Sequence, residues 1–471
     1  MPDPDLRALF EQVLATEPDL PALCHPGERP PVPPDGHPGE RPPVPPDGRA
    51  SVSGMPAQHT TSFAQWWADS ARIAGTLAER GVRKGDMVAL MLPSGQDFAS
   101  CYLAALRLGA IASGVNPRLG PTEIEHILAR GEPTAILTDE PGRIPVAAAA
   151  SVLTPGQARS QGAEFTGWVD VAASEPAAVV WTTGTTGLPK GAWFDHETMA
   201  FIGVNLGPLS APYDRKLMPI PFAHTGYVTR IYDQLIHRSA YVLTPPVWTA
   251  DSMLDVLASE KITLGQGVPT QWEKLIQLDR LDEADLSSLR IVSTGAARVP
   301  ETLVKALHDR LKVPVVIRYA STEVPLACGT RIGDPIEVVA TTVGQPLGGA
   351  EVEVRDLLGK PVPPGETGRI HLKTKARMRG YWRDPEQTAR AITPDGWLVS
   401  SDLGRLDPGG NLAIVGRADD AYIRGGYNIY PSEVEAVLAT HPAVARVTVV
   451  GTAAPVIGEI GVAFTVLKGE T

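Results

Sequence analysis

Apolar positions along the chain change period in a regular rhythm. Phe63 to Arg80 carries them at helical spacing, Met87 to Met91 is a short apolar run, Asp97 to Leu108 is helical again, and Ala110 to Val115 is a second apolar run. Alternation of this kind predicts parallel strands joined by crossover helices. The rhythm returns in Tyr241 to Leu243, Ala250 to Glu260, Thr263 to Gln266, Pro269 to Leu278, Ile291 to Ser293 and Pro300 to Leu311.

Between Thr342 and Ile414 the texture shifts to short alternating segments, such as Glu351 to Arg355 and Gly368 to Leu372. Pro361 to Gly365, Pro394 to Gly396 and Pro408 to Gly410 punctuate them, which predicts antiparallel hairpins. Past Gly416 a strand, helix and strand pattern begins again, with Ser432 as the expected N-cap of a helix over Glu433 to Ala439 and a strand at Val444 to Val450. A small domain starting near Arg417 follows from this break.

A chain of 471 residues with 43% hydrophobic content exceeds what one core usually organises, so at least two domains are expected. The formal net charge of −11 argues against sequence-independent nucleic-acid binding. Cys24, Cys101 and Cys328 have no CxxC spacing and read as reduced thiols. The acidic N-terminus lacks the pattern of a secretory signal and no apolar stretch is long enough to span a bilayer, so a soluble cytoplasmic protein is expected. His25 to Gly36 reads HPGERPPVPPDG and His37 to Gly48 repeats it letter for letter. Proline at that density predicts an exposed, partly extended loop without helix or sheet; a proline-motif ligand for a partner is the alternative.

The chemistry concentrates in Val179 to Gly191, VVWTTGTTGLPKG, where a short apolar strand runs into a turn with four threonines, three glycines and Lys190. Glycines let backbone N–H groups face an anion, threonine hydroxyls add donors and the lysine adds a mobile charge. That set makes a polyphosphate cradle. It is not a Walker A loop, because Lys190 sits between Pro189 and Gly191 instead of preceding a serine or threonine.

Thr182 to Gly191 resembles the signature loop of the adenylate-forming superfamily, which includes acyl-CoA synthetases, luciferases and peptide-synthetase adenylation domains. Further segments match in family order: Pro221 to Gly226 (PFAHTG) resembles the gate segment, Ser293 to Ala297 the adenine-side strand and turn, and Tyr319 to Glu323 (YASTE) the YGxTE element. Gly396 to Gly404 resembles the ribose-binding aspartate motif, and Gly416 to Glu435 the hinge and thioester-forming loop. The similarity runs from about Thr61 to the end of the chain.

The resemblance implies an α/β fold. A large N-terminal domain, residues 1–416, would hold parallel sheets flanked by helices and a small β-barrel-like subdomain; residues 417–471 would begin a small α+β lid, incomplete here. It also implies a two-step reaction: a carboxylic acid and ATP give an acyl-adenylate and pyrophosphate, then the acyl group passes to the thiol of coenzyme A. Both steps build negative charge, so positioning and electrostatic stabilisation are expected to carry catalysis without a protein nucleophile.

Carried over residue by residue, Thr182, Thr183, Gly184, Thr185, Thr186, Gly187 and Lys190 would cradle the β- and γ-phosphates. Glu323 would hold Mg2+ and Thr322 would donate to the α-phosphate, with Ala320 and Ser321 in the same nucleotide-binding loop. Tyr319 would face the adenine, with Gly295, Ala296 and Ala297 as the opposite wall; Asp402 would accept from the ribose hydroxyls and Arg417 would add a donor. Asp419 stands at the hinge. Gly425 and Gly426 would let a pantetheine arm pass, with Tyr427 nearby, although an ordinary glycine turn is the plainer alternative. His224, Tyr227, Gly265, Gly267 and Val268 are the expected acyl-pocket lining, the two glycines leaving room for an acyl chain or aryl ring unless local geometry demands them.

Three departures stand out. The chain stops at Thr471, before the segment where relatives carry a lysine that contacts the carboxylate and α-phosphate, so either a truncation or an impaired first step is expected. Ala320 replaces a glycine. Arg318 stands where many relatives have glycine; it would read a second carboxylate on the substrate, as in malonate-type ligases, or neutralise Glu323 or a neighbouring acid. The alternatives to a CoA ligase are an acyl-AMP ligase serving a carrier-protein thiol, and a nucleotide-binding protein with impaired turnover. Oligomeric state is not written in these residues.

Overall fold

The computed structural model describes residues 5–26, 59–145, 150–182, 187–245, 247–356, 358–420, 422–424, 427–454 and 458–468. Two large sheets dominate it. One has seven strands in the order Gly380–Tyr381, Lys190–Asp195, Pro176–Thr182, Ile111–Gly114, Met87–Met91, Ala135–Thr138, Ser151–Leu153. Its centre is parallel, while Lys190–Asp195 and Gly380–Tyr381 add on antiparallel. The other has nine strands, with a parallel run of Val315–Tyr319, Ile291–Gly295, Leu264–Gly267, Arg215–Met218, Ala240–Leu243 and Pro21–His25 between antiparallel edges.

The expected α/β rhythm is present. Met87–Met91 is buried at every position, as a strand covered on both faces must be, which is why it reads as an unbroken apolar run. Helix Phe63–Glu79 begins with a capping box in which Ser62 and Gln65 satisfy each other's backbone N–H groups. Between the sheets the core is aromatic: Phe98, Tyr102, Phe222, Tyr227 and Tyr241 touch one another, and Phe222 stacks on Tyr227 with centroids 3.6 Å apart. Arg107 is fully buried beside it. Its guanidinium donates to the carbonyls of Trp67 and Phe165 and to Ser70 Oγ, and stacks 4.0 Å above the Trp67 ring. Burial lowers its pKa to about 10, still far above neutrality.

The predicted hairpin region is an open antiparallel sheet of four strands, Glu351–Arg355, Gly368–Lys373, Leu398–Leu406 and Leu412–Arg417, and not a closed barrel. A last antiparallel sheet combines Tyr427–Ile429, Tyr422–Arg424, Gly458–Leu467 and Val444–Ala454, with helix Pro431–Leu438 against it.

Two local expectations are corrected. The C-terminal helix starts at Pro431, with Tyr430 as N-cap and no side-chain cap bond. Proline takes the first helical position because its missing N–H is unpaired there in any case, which leaves Ser432 inside the helix. His25, the first residue of the repeat, belongs to strand Pro21–His25 opposite His59. The repeat from residue 27 onward lies outside the described residues. Cys24, Cys101 and Cys328 are buried free thiols, as expected, and no described helix is long and apolar enough to cross a membrane.

Candidate functional site

The glycine and threonine loop sits at the open end of a hairpin. Strands Pro176–Thr182 and Lys190–Asp195 pair until Thr182 stands opposite Lys190. Thr183, Gly184, Thr185 and Thr186 lie outside the described residues; Gly187 follows them, exposed, with open space where a Cβ would stand. Lys190 therefore leaves the sheet at the mouth of the loop. Its Nζ lies 5.1 Å from the centroid of the Tyr381 ring, a cation–π contact.

Tyr381 links the lysine to the acidic residue. Strand Gly380–Tyr381 pairs with Lys190–Asp195, placing Tyr381 opposite Ala192, and its hydroxyl donates to Glu323 Oε1 at 2.8 Å. Burial and the Glu323 carboxylate push the phenol well above its ordinary pKa, so it stays a donor at neutral pH. The Glu323 carbonyl accepts from Met378 N–H at 2.7 Å, which anchors the backbone of the same residue.

Four residues before Glu323 on the same loop, Tyr319 ends a strand and donates its hydroxyl to Asp402 Oδ2 at 2.7 Å. Ser400 completes the arrangement: its Oγ contacts Tyr319 Oη at 3.1 Å, donates to Asp402 Oδ2 at 3.2 Å and accepts from Asp402 N–H at 2.9 Å. Burial and the carboxylate again raise the tyrosine pKa. Asp402 stands opposite Arg417 in the sheet register, and Arg417 Nη2 donates to Ser401 Oγ at 2.9 Å.

Gly295 ends the neighbouring strand opposite Arg318, where a Cβ would lie 2.3 Å from the Arg318 carbonyl oxygen. Ala296 follows with φ +61°, a left-handed conformation that turns the chain away from the sheet, and Ala297 is exposed beyond it. Within YASTE, Ser321 ties the turn: its N–H donates to the Val324 carbonyl and its Oγ accepts from Val324 N–H. Ala320 is exposed and Thr322 half-buried there.

The expected acyl lining divides. His224 caps the short helix Thr225–Val228, and burial lowers its imidazole pKa. With Pro189, Trp181 and Asn116 it borders a cavity of about 20 Å³, room for about one water. Gly114 lets the turn before helix Thr225–Val228 approach its strand here: a Cβ on it would lie 2.9 Å from the Ala223 backbone. Tyr227, by contrast, is 3% exposed within the aromatic core.

The space beside Gly265 and Gly267 is filled. A Cβ on either would lie within 3.0 Å of the buried Trp272 indole, so local packing requires glycine at both positions. Val268 caps helix Pro269–Leu275, its N–H donating to Gln271 Oε1. Another cavity, about 400 Å³, is bordered by Trp168, His196 and Tyr232 and shares no lining residue with the site.

Arg318 does not pair with Glu323. Its guanidinium donates to the carbonyls of Thr330, Ile317 and Leu206 at 2.9, 3.4 and 3.5 Å, in space that Gly329 leaves free. Burial lowers its pKa to about 10. Asp419 lies in the single turn Ala418–Asp420 after the four-stranded sheet. Gly425 and Gly426 lie outside the described residues, between strands whose ends Arg424 and Tyr427 are paired.

Tyr381 and Ser400 are the site residues that sequence reading missed. The only available signal for Tyr381 was an aromatic residue in the segment RGYW, Arg379 to Trp382. For a divalent cation, Glu323 offers Oε2 with no hydrogen bond among the described residues, and no cluster of three potential ligands occurs among them. One carboxylate beside a polyphosphate fits Mg2+, which keeps waters and takes substrate phosphates as ligands instead of filling a protein cage.

A hairpin loop carrying a lysine, a carboxylate tied to it through tyrosine, and a second tyrosine on the carboxylate's segment that bonds an aspartate of the four-stranded sheet define an adenylate-forming enzyme. Consistent with this, the AMP-binding enzyme family matches residues 40–382, and the family's C-terminal domain matches residues 433–471. The chain belongs to that family. It is 33% identical over 432 residues to the indoleacetate–CoA ligase of Aromatoleum aromaticum, covering 87% of this chain and 84% of that protein. It is 33% identical over 411 residues to a feruloyl-CoA synthase of an Amycolatopsis species, covering 84% and 81%. The ATP-bound crystal structure of MatB from Rhodopseudomonas palustris matches with a TM-score of 0.84 at 27% identity, covering 98% of this chain and 89% of that one.

Proposed function

We propose that this chain uses the Lys190, Glu323 and Asp402 cleft to join a carboxylic acid to coenzyme A at the expense of ATP. The carboxylate attacks the α-phosphorus, pyrophosphate leaves and an acyl-adenylate forms; the thiolate of coenzyme A then displaces AMP to give the thioester. The observation that carries this reading is the chain of contacts from Lys190 through Tyr381 to Glu323, on the loop whose Tyr319 holds Asp402. Those contacts support assigning phosphate, metal and ribose roles to one connected set of residues.

In this reading Thr182, Lys190 and the loop to Gly187 grip the β- and γ-phosphates, and Thr322 donates to the α-phosphate. Glu323 holds Mg2+, which neutralises phosphate charge when bound. Tyr319 faces the adenine across from Gly295 to Ala297, while Asp402 and Arg417 hold the ribose. Tyr319 orients Asp402, because its donor occupies Oδ2 and leaves Oδ1 for the sugar. His224 borders the acyl side. The relatives named for coenzyme A support that acceptor, and residues from about 417 onward act as a lid that turns about Asp419.

The test is a pyrophosphate-release screen over aryl, arylalkanoic and aliphatic acids, with coenzyme A or a holo-carrier protein as acceptor. Thioester formation on coenzyme A with at least one acid is expected. ATP binding without pyrophosphate release for every acid rejects the enzyme reading, and transfer only to the carrier rejects the acceptor.

A further inference from the structure

We propose that His126 is a positioning residue for the phosphate loop, acting through the Pro189–Lys190 peptide; the idea rests on the function proposed above. His126 stands on helix Pro121–Gly131, whose Ile124, Ile127 and Leu128 are buried in the cluster that includes Val179 and Trp181 of the loop's own hairpin. The helix is capped at its start and tied to the site segment near its end. At its start Gly120 N–H donates to Glu123 Oε2 at 2.7 Å, and near its end Arg130 pairs with Asp384 at 2.5 Å, in the segment that follows Tyr381. It is therefore a fixed post beside the site.

From this post His126 Nε2 lies 3.0 Å from the carbonyl oxygen of Pro189. A carbonyl only accepts, so Nε2 carries the hydrogen; the neutral Nε2–H tautomer and the imidazolium both supply it. Pro189 is the first residue beyond the strand ladder, which ends at the Thr182 and Lys190 pair. Proline fixes its own φ and has no N–H to give. With φ fixed, the direction of this carbonyl is held by the Thr182 and Lys190 pairing on one side and by His126 on the other. Because the same peptide plane contains the Lys190 N–H, the clamp also sets the direction from which Lys190 departs toward Tyr381.

A carbonyl released from His126 has somewhere to go. The cavity of about 20 Å³ bordered by Pro189, Trp181 and His224 adjoins it, with space for about one water that can bond a rotated carbonyl. Losing the clamp is then expected to loosen the grip on pyrophosphate without unfolding the hairpin, whose other pairs are untouched.

The test compares His126→Phe, which keeps a ring of similar bulk but donates nothing, with His126→Gln, which restores an N–H at similar reach. Full-length variants are assayed for pyrophosphate release, with KM measured separately for ATP, acid and coenzyme A, and for ATP binding by calorimetry. His126→Phe is expected to lower kcat/KM for ATP by about threefold to tenfold, the scale of one neutral hydrogen bond, with KM for coenzyme A and the thermal midpoint unchanged; His126→Gln should recover the parent value. Parent-like ATP kinetics in His126→Phe overturn the proposal. So does an equal loss in both variants, or a loss shared by all three substrates with a lowered midpoint, since either marks a purely structural residue. If the parent binds ATP but turns over no acid, the function proposed above fails while calorimetry still decides the clamp: weaker binding in Phe rescued by Gln supports it, and equal binding rejects it. A parent that does not bind ATP rejects both.

Discussion

Replacing Gly295 by alanine tests whether the turn beyond strand Ile291–Gly295 is part of the nucleotide site. The added Cβ would start 2.3 Å from the Arg318 carbonyl oxygen, an atom of the paired strand that has no flexible end to swing aside. An ordinary carbon–oxygen contact is about 3.3 Å, so the strands must part by about 1 Å at this point. Overpacking of that kind costs about 1–3 kcal/mol of stability. The displacement falls between Tyr319, one residue beyond Arg318, and Ala296, already held at φ +61°. A misplacement of about 1 Å can cost on the order of a hundredfold in rate. We therefore expect Gly295→Ala to lower kcat/KM for ATP by about thirtyfold to a hundredfold, with a smaller change in KM for coenzyme A. Pyrophosphate release at varied ATP, with a thermal melt as control, makes the measurement. A variant that melts lower yet keeps the parent KM for ATP refutes the reasoning, because the strain would then not reach the nucleotide.

Tyr381→Phe keeps the ring beneath Lys190 but removes the donor to Glu323; losing a hydrogen bond to a charged group is expected to lower pyrophosphate release at least about tenfold, measured across a magnesium titration. Arg107→Met leaves the buried carbonyls of Trp67 and Phe165 without their donor and should destabilise the fold by about 3 kcal/mol in urea unfolding, leaving KM for ATP unchanged in the folded fraction. Burial lowers the pKa of His196 below the histidine value in the unfolded chain. The unfolded state then binds more protons in that window, so this contribution is intact above about pH 6.5 and is lost as pH falls below it. His196→Asn should flatten the decline of the melting temperature between about pH 6.5 and 5; an unchanged slope rejects the assignment.

Much of the α/β frame was legible in the chain because strands covered on both faces must be apolar throughout, as Met87–Met91 is. The hairpins were legible because proline and glycine interrupt Glu351 to Leu412 where the chain reverses. The segment from Thr182 to Gly191 stood out because its threonines, glycines and lysine together suit an anion. Gly265 and Gly267 carry a less specific signal. A glycine records that a Cβ is unwelcome but not what excludes it, and here the excluding group is Trp272, brought back by a turn of helix.

The order of residues by itself determined which chemical groups exist and where an apolar strand runs: the strand around Val179, the threonines, glycines and lysine that follow it, and the glutamate and aspartate further along the chain. Only the tertiary structure decided that Tyr381 bridges Lys190 and Glu323, that Arg318 turns to main-chain carbonyls, and that His126 reaches Pro189. Those contacts depend on strand register and helix packing between segments tens to hundreds of residues apart. Local periodicity specifies which face of an element is buried, and the packing of the whole chain selects what that face meets.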